Sequence, residues 1–362
     1  MRWGKVWGGA GLWPALAALL VSLAQGVHAA AAESPQFVYG KRYSMGTVYE
    51  IVAYCPSLDR ASRAMDAAFG KIAELDRMMS NYDPQSELNR MERSAHFHPA
   101  HVSPDLYSVI QDSLLYSRLS GGKYDITVAP LVEVWKSALS DGRVPPAARL
   151  TQLRACVGYR KIQLLPPGEI ALRSPCMRLD LGSIGKGFAV DRAVEILRSS
   201  GIRDALVNAG GSTIYGMGSP PGQQGWTIRL NDPSGHVSPE VTLRDDSVST
   251  SGQETNSLIF AREFGHIIDP TTAKPVRSAF SVSVIAKTAT ASDGLSTTLF
   301  LLGPDSGARV VHELPGTAAL WVSPKGEMRL ASTGPKILLR RIRKSSATAD
   351  LALERPQASV KQ

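Results

Sequence analysis

Four short passages hold residues whose types and spacing could do chemistry. The first is LDLGSIGKGFAVDRA, residues 179–193. Glycines at 182, 185 and 187 would let backbone approach a ligand closely, and Lys186 would add positive charge at a helix start, where exposed amide donors already favour phosphate. The passage is not a Walker A loop, because Asp180 stands where that motif needs glycine and Gly187 where it needs Ser or Thr; nor is it GxGxxG. Its plain alternative is a strand-to-helix turn with a solvated lysine. The second is SDGLSTTLF, residues 292–300. On a helix, Asp293 and Thr297 share one face, and a carboxylate with a hydroxyl could hold a hard cation such as Mg²⁺, which prefers oxygen ligands and keeps water and substrate phosphates in its shell. The plain alternative is a helix capped by Ser292 or Asp293.

The third passage is GHIIDPTTAKP, residues 265–275, where His266 precedes an Asp-Pro turn. At a strand end facing a cleft, a neutral histidine could take a proton from an attacking hydroxyl, although lone histidines are more often structural. His96, His98 and His101 lack a carboxylate at metal-binding spacing and read as surface. The fourth is a pair of aromatic-acid dipeptides, Tyr82-Asp83 and Tyr124-Asp125. A turn tyrosine can stack on a planar heterocycle, and the carboxylate can accept from an imide or amine edge; the commoner role is to cover a core edge.

The elements that must position these residues follow from periodicity. A strand-like stretch starts at Phe37 and runs through YSMGTVYEIVAY. Apolar residues at three- and four-residue spacing then predict a helix over 57–79, stopped before NYDP. Helices are also expected over 104–120, ended by Gly121 and Gly122, over 187–199, closed by Gly201, and over 291–302. The proline-rich residues 143–175 read as loops around the strand KIQLL, and a boundary between two lobes could fall there. The part after 204 reads mainly as short strands with tight turns.

Composition sets the class. Of 362 residues, 43% are hydrophobic and 20% charged, which is globular and excludes a disordered or coiled-coil chain. The formal charge is +8, yet Arg2, Lys5 and the segment from Lys336 onward carry all but one of those charges. The body is therefore nearly neutral, and nucleic-acid binding is not expected, since it would need a basic face. The first 32 residues have the layout of a cleaved secretory signal peptide: two basic residues, an apolar run and then HAAAA. No cysteine lies near that junction, so no lipid attachment is expected and membrane contact is at most peripheral. Residues 341–362 read as a basic, flexible tail. Only Cys55, Cys156 and Cys176 are present; a Cys156–Cys176 disulfide is an option in an oxidising compartment, and the sequence leaves it open.

Taken in order, these passages resemble the ApbE family, the FAD:protein FMN transferases. The resemblance runs through MGT at 45–47, MMSNYDPQSELNRM at 78–91, GGKYDITVAPLV at 121–132, LDLGSIGKGFAVD at 179–191, NAGG at 208–211, HIIDPTT at 266–272 and SDGLSTTLFLLG at 292–303. It implies an α+β fold, with mainly antiparallel sheets and flanking helices in a T-fold-like catalytic unit over 33–340. It also implies a Mg²⁺-dependent enzyme that splits the diphosphate of FAD, joins FMN to a threonine hydroxyl of a membrane-associated redox protein in the periplasm, and releases AMP. By similarity, Met45, Tyr82, Lys123, Tyr124, Asp125, Asp180, Lys186 and Ile267 would surround FAD. Ser183, through its carbonyl, with Asp293 and Thr297, would hold the metal. His266 would be the base, with Asp293 as its rival. The alternatives are an FAD pyrophosphatase giving FMN and AMP, or a non-catalytic FAD carrier. DGLSTT lies inside the metal passage, and self-flavinylation is not expected.

Overall fold

The computed structural model describes residues 34–235, 237–252, 266–276, 280–334 and 336–341. The expected export segment, and all of the expected tail except Arg341, lie outside these residues. The frame is one eight-stranded sheet: β1 (Gln36–Ser44), β2 (Thr47–Cys55), β6 (Asp204–Ala209), β7 (Thr213–Met217), β10 (Asp246–Ser251), β13 (Ser281–Ala286), β14 (Ala318–Val322) and β15 (Met328–Ser332), in that spatial order. Every neighbouring pair is antiparallel, giving the mixed, mainly antiparallel α+β architecture that was expected.

Side chains alternate between the two faces of a strand, and here both faces are covered. One carries Tyr49, Ile51, Val207, Val282, Val284 and Trp321 against the helices. The other carries Val52, Leu206, Ile285, Leu320 and Val322 against a three-stranded sheet of β8 (Trp226–Arg229), β9 (Val237–Leu243) and β16 (Ile337–Arg341), through Trp226, Val241, Leu243 and Ile337. Consequently β13 and β14 are buried at every residue: β14 is apolar throughout, and in β13 Ser281 and Ser283, which alternate with Val282 and Val284, are buried as well.

Helix α1 (Leu58–Met79) is capped by Ser57, whose hydroxyl accepts from the Arg60 N–H, and buries Ala61, Met65, Ala68, Phe69, Ile72 and Leu75 on one face. Helix α2 (Glu87–Ser94) was not expected; it is two turns long and buries polar Asn89 and Glu92 beside Leu88 and Met91, so it has little apolar pattern to read. Helix α3 (Pro104–Leu119) starts with a Ser103 cap and a first-turn proline.

The stretch 143–175, expected as loop around one strand, is more ordered than that. After α4 (Ala129–Ser140) it holds α5 (Ala147–Arg154) and a hairpin of β4 (Ile162–Leu165) and β5 (Glu169–Leu172), with β3 (Ala100–His101) beside β5. Pro145 and Pro146 stand just before α5, where proline is tolerated, and so punctuate it rather than break it. Ile162, Ile170 and Leu172 join the main core.

Helix α6 (Gly185–Ser199) begins two residues earlier than expected. Helix α7 (Ala289–His312) starts earlier and continues beyond Leu302. A break at Gly303, with φ 75°, precedes Pro304, and a second helical piece follows. The Gly-Pro pair reads as a terminus in sequence, but proline can also open a new first turn. Cys156 and Cys176 form a disulfide with Cα atoms 5.2 Å apart, and Cys55 is a buried free thiol. No helix among the described residues is long and apolar enough to cross a membrane.

Candidate active site

The site is built where the N-terminal turns of α6 and α7 cross. Before α6, the Asp180 carboxylate accepts from the Gly182 N–H (2.8 Å) and the Asp180 N–H donates to the Ile126 carbonyl (2.7 Å), tying the glycine-rich turn to the GGKYDI segment. Gly187 then lies directly against α7: a Cβ added there would sit 2.2 Å from the Ala289 carbonyl oxygen. That contact lets the Gly187 N–H donate to Asp293 Oδ2 (2.8 Å). Thr213 of β7 also hydrogen-bonds the Asp293 carboxylate, and Lys186 is its cationic neighbour. In the opposite direction, Asp191 Oδ1 accepts from the Ala289 N–H (2.7 Å), and Oδ2 accepts from the Thr290 N–H (2.8 Å) and hydroxyl (2.6 Å). Asp293 stands one turn into α7 and Asp191 nearly two turns into α6, and each caps the start of the other helix.

Around this crossing, besides Asp180 and Lys186, stand two more of the expected flavin neighbours, Tyr124 and Met45. The Ser183 hydroxyl donates to the Tyr124 hydroxyl (2.9 Å), and Tyr124 packs edge-on to Tyr116. The β1–β2 turn brings in Met45, held with φ 49° by Asp76 of α1, whose Oδ2 accepts from the Met45 N–H and the Ser44 hydroxyl (both 2.8 Å). Buried Tyr49 donates to the Met45 sulfur (3.1 Å). Burial, then the nearby Asp293 charge, pushes the Tyr49 hydroxyl upward; burial does the same to Tyr124, so both stay protonated.

Beneath α7 lies a buried row of hydroxyls. Ser247 and Ser249 of β10 meet Ser292 (2.9 and 2.7 Å), and Ser251 meets Ser296 (2.8 Å) and Thr297 (3.2 Å). These pairs orient the helix face that carries Asp293 and Thr297. Burial pushes the Asp293 carboxyl upward, offset by Lys186, Gly187 and Thr213 and reinforced by Asp191. A cation there would stabilise its charged form. Asp293, Thr297 and the Ser183 carbonyl are hard oxygen donors and suit Mg²⁺ that keeps water and phosphate ligands. Among the described residues, no group of three or more His, Cys, Asp or Glu side chains could hold a metal by itself.

The remaining expected residues lie on the margins. Tyr82 is 87% exposed, on a turn pinned by Asn89, whose side-chain amide donates to the Ser80 and Asp83 carbonyls (3.0 and 2.8 Å). Lys123 lines a cavity of about 610 Å³ with Trp135, Asp269, Thr272 and Lys274. The Asp125 carboxylate is turned into the chain, accepting from the Thr127 N–H and hydroxyl and from the Tyr159 N–H (2.9, 2.7 and 2.7 Å). A ligand edge would reach it only by displacing those bonds. Ile267 packs against the main core, and its carbonyl accepts from the Val276 N–H (2.8 Å). His266 is exposed, just before the hairpin of β11 (Ile268–Asp269) and β12 (Lys274–Pro275).

Comparison with known proteins decides the family. The ApbE family model matches residues 45–321. The chain belongs to the ApbE family. An FAD:protein FMN transferase of Treponema pallidum is 29% identical over 75% of this chain and 80% of its own length, and one of Vibrio cholerae serotype O1 is 30% identical over 81% and 90%. The crystallised flavin transferase ApbE from Vibrio cholerae superposes with a TM-score of 0.72 at 26% identity, covering 83% of this chain and 98% of that one. The ApbE protein from Thermotoga maritima gives the same score and identity over 82% and 98%.

Proposed function

We propose that this ApbE-family chain is an FAD:protein FMN transferase that uses Mg²⁺ and a threonine acceptor. The observation that carries this reading is the buried Asp293 carboxylate held against the α6 start beside Lys186. Phosphoryl transfer asks a protein mainly for positioning and charge neutralisation. Mg²⁺, when bound by Asp293, Thr297 and the Ser183 carbonyl, would supply Lewis acidity toward the diphosphate. Lys186 would add charge at the bridging oxygens, and Met45 and exposed Tyr82 would bracket the flavin, while Tyr124, buried against Tyr116, would hold Ser183 in place through its hydroxyl rather than stack on the ring.

In the transfer, the threonine oxygen bonds to the phosphorus on the FMN side, the bond to the AMP oxygen breaks, and the hydroxyl proton goes to a base. His266 suits that role better than Asp293, because it is exposed to an incoming acceptor whereas Asp293 is buried with one oxygen held by Gly187. The Cys156–Cys176 disulfide supports an exported protein working in an oxidising compartment, with a periplasmic or membrane-associated redox protein as acceptor.

The test is intact mass of a threonine-bearing domain of a periplasmic electron-transfer subunit after incubation with the protein, FAD and Mg²⁺. A gain of one FMN, absent with Asp293→Ala, is expected. Free FMN and AMP without mass gain would overturn the protein-acceptor reading in favour of a pyrophosphatase, and FAD retained intact would favour a carrier. His266→Asn that transfers at the wild-type rate would remove His266 as the base.

A further inference from the structure

We propose that Asp191 is a positioning residue for the cation site: by capping α7 it fixes where Asp293 stands, and so sets divalent-cation affinity. This rests on the reading of Asp293 as a cation ligand. Asp191 belongs to α6, and its carboxylate holds two backbone N–H groups and one hydroxyl in the first turn of α7, at 2.6 to 2.8 Å. Asp293 belongs to α7, one turn further on, and is bonded back to the start of α6. The two links close a loop between the helices, so neither carboxylate can move without straining the other link. Gly187 makes the spacing between the helices small, since no side chain fits between it and Ala289.

The arrangement has two consequences for a cation. Geometry is the first: Thr297 follows Asp293 by one turn on the same helix, so the axial position of α7 places both donors relative to Ser183 and Lys186. The second is charge, since Asp191 adds negative potential at Asp293 without being positioned as a ligand. Partners that orient metal ligands in this way typically alter metal affinity on the order of 10- to 100-fold when removed.

The experiment measures Mn²⁺ binding to the full-length protein by electron paramagnetic resonance, without FAD or acceptor, for the wild type, Asp191→Ala, Thr290→Val and Asp293→Ala. Asp191→Ala is expected to weaken Mn²⁺ binding by about tenfold or more. Thr290→Val removes one of the three bonds and should fall between it and the wild type. In activity assays, the cation concentration for half-maximal rate should rise in both variants, while kcat recovers at saturating cation. Circular dichroism and thermal unfolding establish that each variant is folded, and Thr290→Val serves if Asp191→Ala is not. Loss of Mn²⁺ binding in Asp293→Ala with wild-type affinity in the folded Asp191 or Thr290 variant would overturn the positioning role alone. Undiminished binding in Asp293→Ala would overturn the cation site, and the positioning role with it.

Discussion

Gly187→Ala gives the sharpest test of how the site is held, because two effects of opposite sign compete. In an exposed helix, glycine to alanine is favourable by about 1 kcal/mol. Here the new methyl would stand 2.2 Å from the Ala289 oxygen and 2.6 Å from the Asp293 Cβ, whereas ordinary contact begins at 3.4 Å. The helices would have to part by about 1.2 Å, which would stretch the 2.8 Å Gly187–Asp293 bond to about 4 Å and break it. Overpacking costs about 1–3 kcal/mol, and a buried polar group deprived of its partner about 1–3 more. After the helix gain, the net loss is about 1–5 kcal/mol. A displacement of about 1 Å at the reacting groups also predicts about a hundredfold fall in transfer rate. Urea and thermal unfolding measure the first effect, and flavinylation kinetics at saturating Mg²⁺ the second. A Gly187→Ala protein that is as stable as the wild type and fully active would refute the close crossing as the support of the site.

Three further predictions follow from other parts of the structure. Burial raises the Asp293 carboxyl, so the folded chain binds a proton there more tightly than the unfolded chain does, and without metal this group's stabilising contribution is fully present below the ordinary carboxylate range and lost as pH rises through the raised value. Asp293→Asn should therefore flatten the decline in urea midpoint with pH measured in EDTA; an unchanged decline counts against a buried, raised carboxyl. Reduction of the Cys156–Cys176 disulfide, which spans 20 residues, should lower unfolding free energy by about 3 kcal/mol, and a melting temperature unaffected by dithiothreitol would contradict this. Tyr82→Ala should leave stability within about 0.5 kcal/mol while weakening FAD binding about 2- to 10-fold, the worth of one aromatic stack; calorimetric titration with FAD showing no change removes Tyr82 from the flavin site.

What could be read from the sequence depended on how far apart the interacting residues lie. Helices α1, α3 and α6 are legible because each lays an apolar stripe on the core and ends at Ser, Gly or Pro signals. Helix α2 is not, because Asn89 and Glu92 are buried for hydrogen bonds and interrupt any stripe. In β14 burial on both faces leaves an all-apolar run without the alternation that marks a strand, whereas Ser281 to Val284 of β13 keep that alternation and are legible. The second piece of α7 was hidden by Gly303-Pro304, a pair that ends helices more often than it bends them. Lys186, Asp293 and Thr297 stood out because each lies in a short passage with its own chemical pattern, whereas Ser183 entered only through the family resemblance. Asp191, Thr213 and Asp76 did not, since they act across the fold: Asp191 on residues 98 and 99 positions away, and Asp76 on Met45, 31 away. The GKGFAVD spacing, with an acid four residues after a glycine, was the signal that could have pointed to Asp191.

The order of strands across the large sheet bears on how the protein is made. Spatial neighbours β1, β2, β6, β7, β10, β13, β14 and β15 follow one another along the chain, so each strand can be laid on the edge left by the one before it as the polypeptide emerges. The intervening segments, including β8 and β9 of the second sheet, are looped out and added to a growing platform, and β16 joins them only after β15. The Gly187–Asp293 link is different, for its partners are 106 residues apart and cannot meet until β13 is in place and α7 docks. The first six strands of the platform can therefore assemble progressively, while the chemistry switches on only when α7, which follows them, docks. A nascent or truncated chain would have sheet structure but no crossing, and would leave flavin nucleotides untouched until its last helix arrived.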